Sequence, residues 1–297
     1  MSAPKSIAVP SPLLARAGRG WNWRLVRSVL VRHQRTCVGA ALVALVVFLA
    51  LLAPAIGGYD PNYGDFSRVL ARPTFAHPFG TDGLGRDVLA RVLVAYRVSL
   101  LVAVGSVLAA VVVGLPLGLL AGYSGALVDN LIMRPLDLLM AFPPILLAVT
   151  LIAVFGTGAG VEILALALIY VPIMARVLRG SVMTVRGEEF VEAARAIGAG
   201  PIRLMLRHIL ANSLGALIVQ ASISVGIAIL IEAGLSFIGL GTQPPDPSLG
   251  SMLSEGRDFM REAPWVVVFP GLAIMIAVLG FNLLGDGLRD ALDRGHR

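Results

Sequence analysis

Long apolar runs alternate with short arginine-bearing segments along the whole chain. The hydrocarbon core of a bilayer is about 30 Å thick, and about 20 helical residues cross it. Six runs approach or reach that length. They predict spanning helices over residues 38–56, 98–122, 138–155, 162–178, 213–235 and 265–285. The fourth is the least uniform. Only residues 163–175 are free of charge, which sets Glu162 and Arg176 near the two membrane faces. The first run exceeds the apolar stretch of about 7–15 residues found in signal peptides, and 37 residues precede it, so an uncleaved anchor is expected. The resulting fold class is an all-α integral membrane protein of about six transmembrane helices.

Composition supports this reading. The 297 residues are 57% hydrophobic and 14% charged, where soluble domains carry about 25% charged residues. Net charge is +6, and every basic residue except Lys5 is arginine. Because these residues lie between apolar runs, they report orientation in a membrane rather than a nucleic-acid partner. With the N-terminus inside, 17 basic residues fall on the inner side and 7 on the outer. That bias predicts cytoplasmic N- and C-termini. Domain expectations follow. Residues 1–37 form a basic tail with an interfacial helix, and 38–56 the first span. Residues 57–97 form an external loop, 98–285 a core of five transmembrane helices that includes the 186–212 loop, and 286–297 a cytoplasmic tail. Within the tail, residues 21–35 alternate Trp21, Trp23, Leu25 and Val26 with Arg24, Arg27 and Arg32. Such a helix lies along the inner interface, against membrane lipid.

Several chemistries are excluded. A phosphate-binding P-loop needs GxxxxGK followed by Ser or Thr. The one lysine, Lys5, sits in a Pro- and Ser-containing tail, so ATP-driven work must come from a partner. His33, His77, His208 and His296 are far apart with no HExxH spacing, and Cys37 is the only cysteine. Neither a zinc site nor an intrachain disulfide is expected, and Cys37 reads as a small buried side chain. Gly156, Gly158 and Gly160 break the GxGxxG spacing and read as a tight outer turn.

The most informative stretch is 186–212, between the fourth and fifth spans. Glu188, Glu189 and Glu192 occupy the first turns of a short helix, where negative charge suits the helix dipole. Phe190, Ala193, Ala194 and Ile197 form an apolar stripe at helical spacing. Gly198 stops this helix and Pro201 opens a second. There Ile202, Met205, Leu206 and Ile209 stand against Arg203, Arg207 and His208. Joining two spans needs only a few residues, so this hairpin is a candidate docking surface for a soluble partner.

Glu192-Ala193-Ala194 followed by Gly198 resembles the EAA loop of binding-protein-dependent ABC importer permeases. His77 to Asp82 with Gly85-Arg86-Asp87 resembles the GTD..GRD stretch of the dipeptide/oligopeptide/nickel branch. The segment from Glu232 through Ser236 to Pro245 resembles that branch's EAALSFLGLG.QPP segment, and the extra first span matches its "C"-type permeases. The resemblance implies a non-catalytic permease subunit in the bacterial plasma membrane. Its partners would be a homologous second permease, two ATPase subunits that hold ATP and Mg, and an extracytoplasmic binding protein. This chain would hold no cofactor of its own. Glu188, Glu189, Glu192, Ala193, Ala194, Gly198, Pro201 and Arg203 would form the ATPase-coupling loop. Di- or oligopeptides are the implied substrates, with nickel chelates, haem or other small solutes as alternatives. In one respect the chain departs from the family: Ala211 stands where the loop usually has proline.

Other residues carry two readings each. Glu232, the one acid well inside an uncharged run, either lines the pathway with Ser236 and Gln220 or is a structural partner for a polar group on another helix. Gly114, Gly118 and Gly122 form a ridge for close helix approach, within the chain or against a second permease. Pro116 is expected to kink its helix, and Pro143-Pro144 to bend or start theirs. The loops 57–97 and 241–264 are candidate surface for the binding protein, or else packing over the pathway mouth. A rival class, an ion-coupled secondary transporter, would bring several buried ionisable groups.

Overall fold

The computed structural model describes residues 34–56 and 60–294, which fold almost wholly as helices. The expected interfacial helix at 21–35 lies outside the described residues, apart from its last two. In chain order the helices are α1 (Gln34–Ile56), α2 (Val88–Tyr123), α3 (Ala126–Met140), α4 (Pro144–Phe155), α5 (Ala159–Arg186) and α6 (Glu189–Ala196). They are followed by α7 (Pro201–Phe237), α8 (Leu249–Gly256) and α9 (Trp265–Arg294). Five of these, α1, α2, α5, α7 and α9, are long and apolar enough to cross a bilayer.

The span expected over 138–155 is interrupted at Pro143-Pro144, the pair expected to bend or start it. The chain bends by 88° between α3 and α4. Pro144 is the first residue of α4 and its missing N–H is harmless there, while Pro143 before it is extended at ψ 128°. The break therefore falls at Pro143-Pro144. The 12 residues of α4 rise about 18 Å, short of the hydrocarbon thickness.

The core is the pairing of α2 with α5. Gly114 meets Val171 and Met174, Gly118 meets Ala175 and Leu178, and Gly122 meets Arg179 and Val182. Numbers rise together on both helices, so the pair is parallel. The glycine ridge thus packs within the chain. Parallel neighbours require the chain to return between them, and α3 with α4 is the only segment available to do so. Two ion pairs fasten α3 to α5: Asp129 with Arg179 and Asp137 with Arg176. On the other flank α1 lies against α9 and α9 against α7. Cys37 is exposed rather than buried, because α1 is peripheral and only one side of it meets α9 and α2.

At one end of the bundle, residues 60–87 and 238–264 form a folded cap. Asp87 caps the N-terminus of α2 by accepting from Ala90 N–H at 2.7 Å and pairs with His77 at 2.8 Å. Asp82 accepts from the N–H groups of Leu84 and Arg86, both at 2.9 Å. Trp265 donates to the Thr81 carbonyl, and Phe79 stacks on Phe269. These contacts hold the GTD..GRD stretch to the first turn of α9. At the other end lies the α6–α7 hairpin.

A side chain at Gly118 would place its Cβ 2.4 Å from the Ala175 carbonyl oxygen. Gly118→Val should therefore force α2 from α5 and destabilise by about 1–3 kcal/mol or more. Gly180→Ala meets nothing within 4 Å and should be neutral or stabilising. Heating detergent-solubilised chain and measuring the surviving monodisperse fraction checks the contrast.

Candidate functional site: a hairpin joined to a membrane helix

Glu188 stands at the N-cap of α6 with extended backbone, and Glu189 and Glu192 follow in its first turn, all three exposed. The helix ends in a Schellman arrangement. Gly198 N–H donates to Arg195 O and Ala199 N–H to Ala194 O, each at 3.0 Å. Gly198 sits at φ +90°, a left-handed conformation that a Cβ makes costly. Gly200 then caps α7, whose first residue is Pro201.

The hairpin is held by Val191, Ala194, Leu204 and Ile209, each buried. The structure shows which side of the expected stripe is covered. Of Phe190, Ala193, Ala194 and Ile197, only Ala194 faces inward, because Val191 takes the inner position one helical turn before it. Ile197 is 87% exposed and Ile202 70%, and Phe190, Leu206, Glu192 and Arg203 are exposed as well. The hairpin so presents apolar side chains ringed by charges, the surface chemistry of a protein interface.

Beyond Pro201 the second hairpin helix runs into the span without a break. With Ala211 in the usual proline position, residues Pro201–Phe237 form one helix, widened to a π-helix over Leu204–Leu210. Its 37 residues measure about 55 Å, so more than two turns project past a bilayer. Asn212 closes the widened turn by donating to the His208 carbonyl at 2.6 Å.

Above the hairpin a cleft of about 510 Å³ opens between α5, α7 and α9. Its polar lining comprises Ser181, Thr184, Asn212, Gln220 and Arg289. Gln220 is thus the one of the three candidate pathway residues that faces this open space. Glu232 and Ser236 lie nearer the cap and are buried. Ser99 donates to Glu232 at 2.7 Å and Ser236 donates to it at 3.0 Å. Glu232 therefore joins α2 to α7. Glu162, expected near a membrane face, is fully buried in the first turn of α5, with neither carboxyl oxygen partnered among the described residues. Gly114, Gly118 and Gly122 pack against α5 and not into the hairpin surface. Sequence reasoning passed over Ser99, Ser181, Thr184 and Arg289. Lone hydroxyls in apolar helices and one arginine in a charged tail give no periodic signal, and only helix packing gathers them.

A bundle of long apolar helices, one of them continuous with an exposed hairpin, defines an all-α integral membrane protein. The chain matches the family described as binding-protein-dependent transport system inner membrane component over residues 114–297, and it belongs to that family. It is 44% identical over 272 residues to the glutathione transport system permease protein GsiD of Escherichia coli O1:K1. Against the same-named proteins of Shigella flexneri serotype 5b and Escherichia coli O157:H7 the identity is 45%. Each alignment covers 91% of this chain and 88% of the relative. The chain is therefore an inner-membrane permease of the ABC importer family.

Removing the Ser99 hydroxyl leaves a buried Glu232 oxygen without its donor. Ser99→Ala should destabilise by about 1–3 kcal/mol. Because Ser99 and Glu232 share one bond, Ser99→Ala with Glu232→Gln should cost less than the sum of the two changes. Thermal midpoints of the four species test this, and strict additivity would remove Glu232 as the α2–α7 link.

Proposed function

We propose that the chain is the non-catalytic permease subunit of an ATP-driven importer that carries glutathione or another small peptide into the cell. A binding protein delivers the solute at the cap end. A homologous second permease completes the pathway, and two ATPase subunits, holding ATP and Mg, dock on the α6–α7 hairpin. Both termini are cytoplasmic in this reading, as the arginine bias implies. The observation that carries it is the exposed apolar surface of Phe190, Ile197, Ile202 and Leu206 on a hairpin whose second helix continues unbroken into the span as α7. Lipid has no use for a charged-rimmed surface standing beyond the membrane, and a soluble partner does.

Mechanism follows from the single helix. When ATP closes the ATPase dimer, its groove displaces α6, and Val191 and Ala194 transmit the push to Leu204 and Ile209. The rod Pro201–Phe237 then tilts as a unit. Asn212, Gln220 and Val219, carried on that rod, line the cleft whose opposite walls belong to α5 and α9. Tilting the rod opens or closes this cleft, a two-state change in access. Substrate preference for glutathione or related peptides draws on the relatives' names and on the peptide-branch motifs, while selection itself falls largely to the binding protein.

Orientation is checked by cysteine labelling from outside in a Cys37→Ser background. Asp65→Cys should react with an impermeant maleimide and Glu189→Cys should not. The reverse pattern would sink the proposed topology.

Coupling is checked in proteoliposomes holding the complete complex. Gly198→Val strains the φ +90° position, Glu192→Lys puts positive charge at a helix start, and Ile197→Asp charges the centre of the apolar surface. All three should insert and assemble into the membrane. Uptake of labelled glutathione should fall by on the order of tenfold or more, equivalent to about 1.4 kcal/mol of lost coupling, and ATP hydrolysis should cease to respond to the loaded binding protein. Wild-type uptake in all three would overturn the hairpin's role.

A further inference from the structure

The cap encloses a second cavity, of about 380 Å³, between the start of α2, the 82–86 turn and α8. Leu84, Met252, Phe259 and Val266 give it apolar walls. Four charged side chains meet at its rim: Asp82, Arg86, Arg91 and Glu255. The volume lies at the lower end of the range of small-molecule pockets, roughly 300–1,000 Å³.

The four charges are unequally satisfied. Arg86 donates to Asp82 at 2.7 Å and to Glu255 at 2.6 Å, normal charge-assisted lengths. Arg91 is only 2% exposed, yet its bonds are long: 3.3 Å to the Pro61 carbonyl and 3.3 Å to Glu255. Its Nε donates no hydrogen bond among the described residues and lies 3.6 Å from Asp82. A guanidinium carries five donors in a planar fork, and burying one so poorly paired is costly. Glu255 is the acceptor shared by both arginines, and it is also the exposed member of the four, at 43% against 14% for Arg86 and 13% for Asp82.

We infer that this cavity is a binding site for the free carboxylate of a small peptide-like solute, which displaces Glu255 and binds across Arg86 and Arg91. With Glu255 in place the two arginines and two acids cancel. When Glu255 swings into water, where its charge is readily solvated, one positive charge is left facing the cavity. A solute carboxylate restores neutrality and offers two oxygens to the two guanidinium groups, while the solute's apolar part lies against Met252 and Phe259. Glu255 is then an internal stand-in for the ligand. Arrival of the solute at this end rests on the proposed orientation, whereas the carboxylate chemistry of the cavity does not.

The test is calorimetric titration of the full chain, purified with its associated subunits in lipid nanodiscs without ATP. The probes are glutathione beside its diethyl ester, with both carboxyls blocked, and diglycine beside its ethyl ester. At least one acid should bind at millimolar concentration or below, and its ester should not. Arg86→Gln should weaken that binding by on the order of tenfold, the loss of one charge-assisted bond. Glu255→Gln should strengthen it several-fold, because the internal competitor loses its charge. Arg91→Gln risks misfolding, so the decision rests on the other two variants. No binding of either acid, equal binding of acid and ester, or affinities unmoved by Arg86→Gln and Glu255→Gln would each overturn the proposal and leave the cluster as an ionic clamp between cap and α8. These readings use neither uptake nor hydrolysis, so their failure is separate from failure of the coupling hairpin.

Discussion

Every backbone N–H and C=O that enters hydrocarbon must be paired inside the protein, since no water is there to replace the bond. Helices satisfy this along their own length, and the remainder of the structure is arranged around the places where they cannot. The parallel α2–α5 pair is the centre of that arrangement. Glycines at every fourth position let the two backbones approach until Ala175 O and Arg179 O lie where side chains would be. In lipid, with little hydrophobic drive between apolar helices, such close packing is a principal source of association. Once these helices are parallel, the chain must cross back between them, and the broken α3–α4 segment is the result. The ion pairs Asp129–Arg179 and Asp137–Arg176 hold that segment to α5.

The two ends of the bundle use the same physics for different purposes. At the cap, the polar side chains of the GTD..GRD turn are largely consumed internally. Asp82, Asp87, His77 and Thr81 bond to local backbone or to one another. The GTD..GRD motif is therefore a knot of turn and cap interactions that seats the loop on α2 and α9. At the hairpin, the charged and apolar side chains point outward and are not consumed. A surface left unsatisfied by its own chain, attached to a rod that enters the membrane, is what a mechanical linkage requires. The π-helical widening at Leu204–Leu210 falls at the junction between hairpin and span, and such widenings recur at functional positions in other helices.

Glu232 and Gln220 show how prominence in the sequence and exposure to the cleft separate. An acid in an apolar run suggests a pathway residue, yet two serine hydroxyls from α2 and α7 engage both of its oxygens. Gln220, three turns away on the same helix, looks less notable in sequence but faces the open cleft. The distinction is one of helix face, and face is fixed by which neighbours pack against α7.

The sequence by itself determined the membrane class, the five long spans and the hairpin with its glycine stop, because length, hydropathy and backbone chemistry act locally. It also carried the family, through motifs spread over most of the chain. The bend or helix start expected at Pro143-Pro144 was legible too, and only the tertiary structure decided that Val191 rather than Phe190 faces inward. It likewise decided that Cys37 is exposed, that Ser99 meets Glu232, and that Arg86, Arg91 and Glu255 share one cavity. These depend on contacts between residues apart in the chain, up to 169 positions for Arg86 and Glu255. Local propensity has no access to such contacts, since they exist only once the helices have chosen their neighbours.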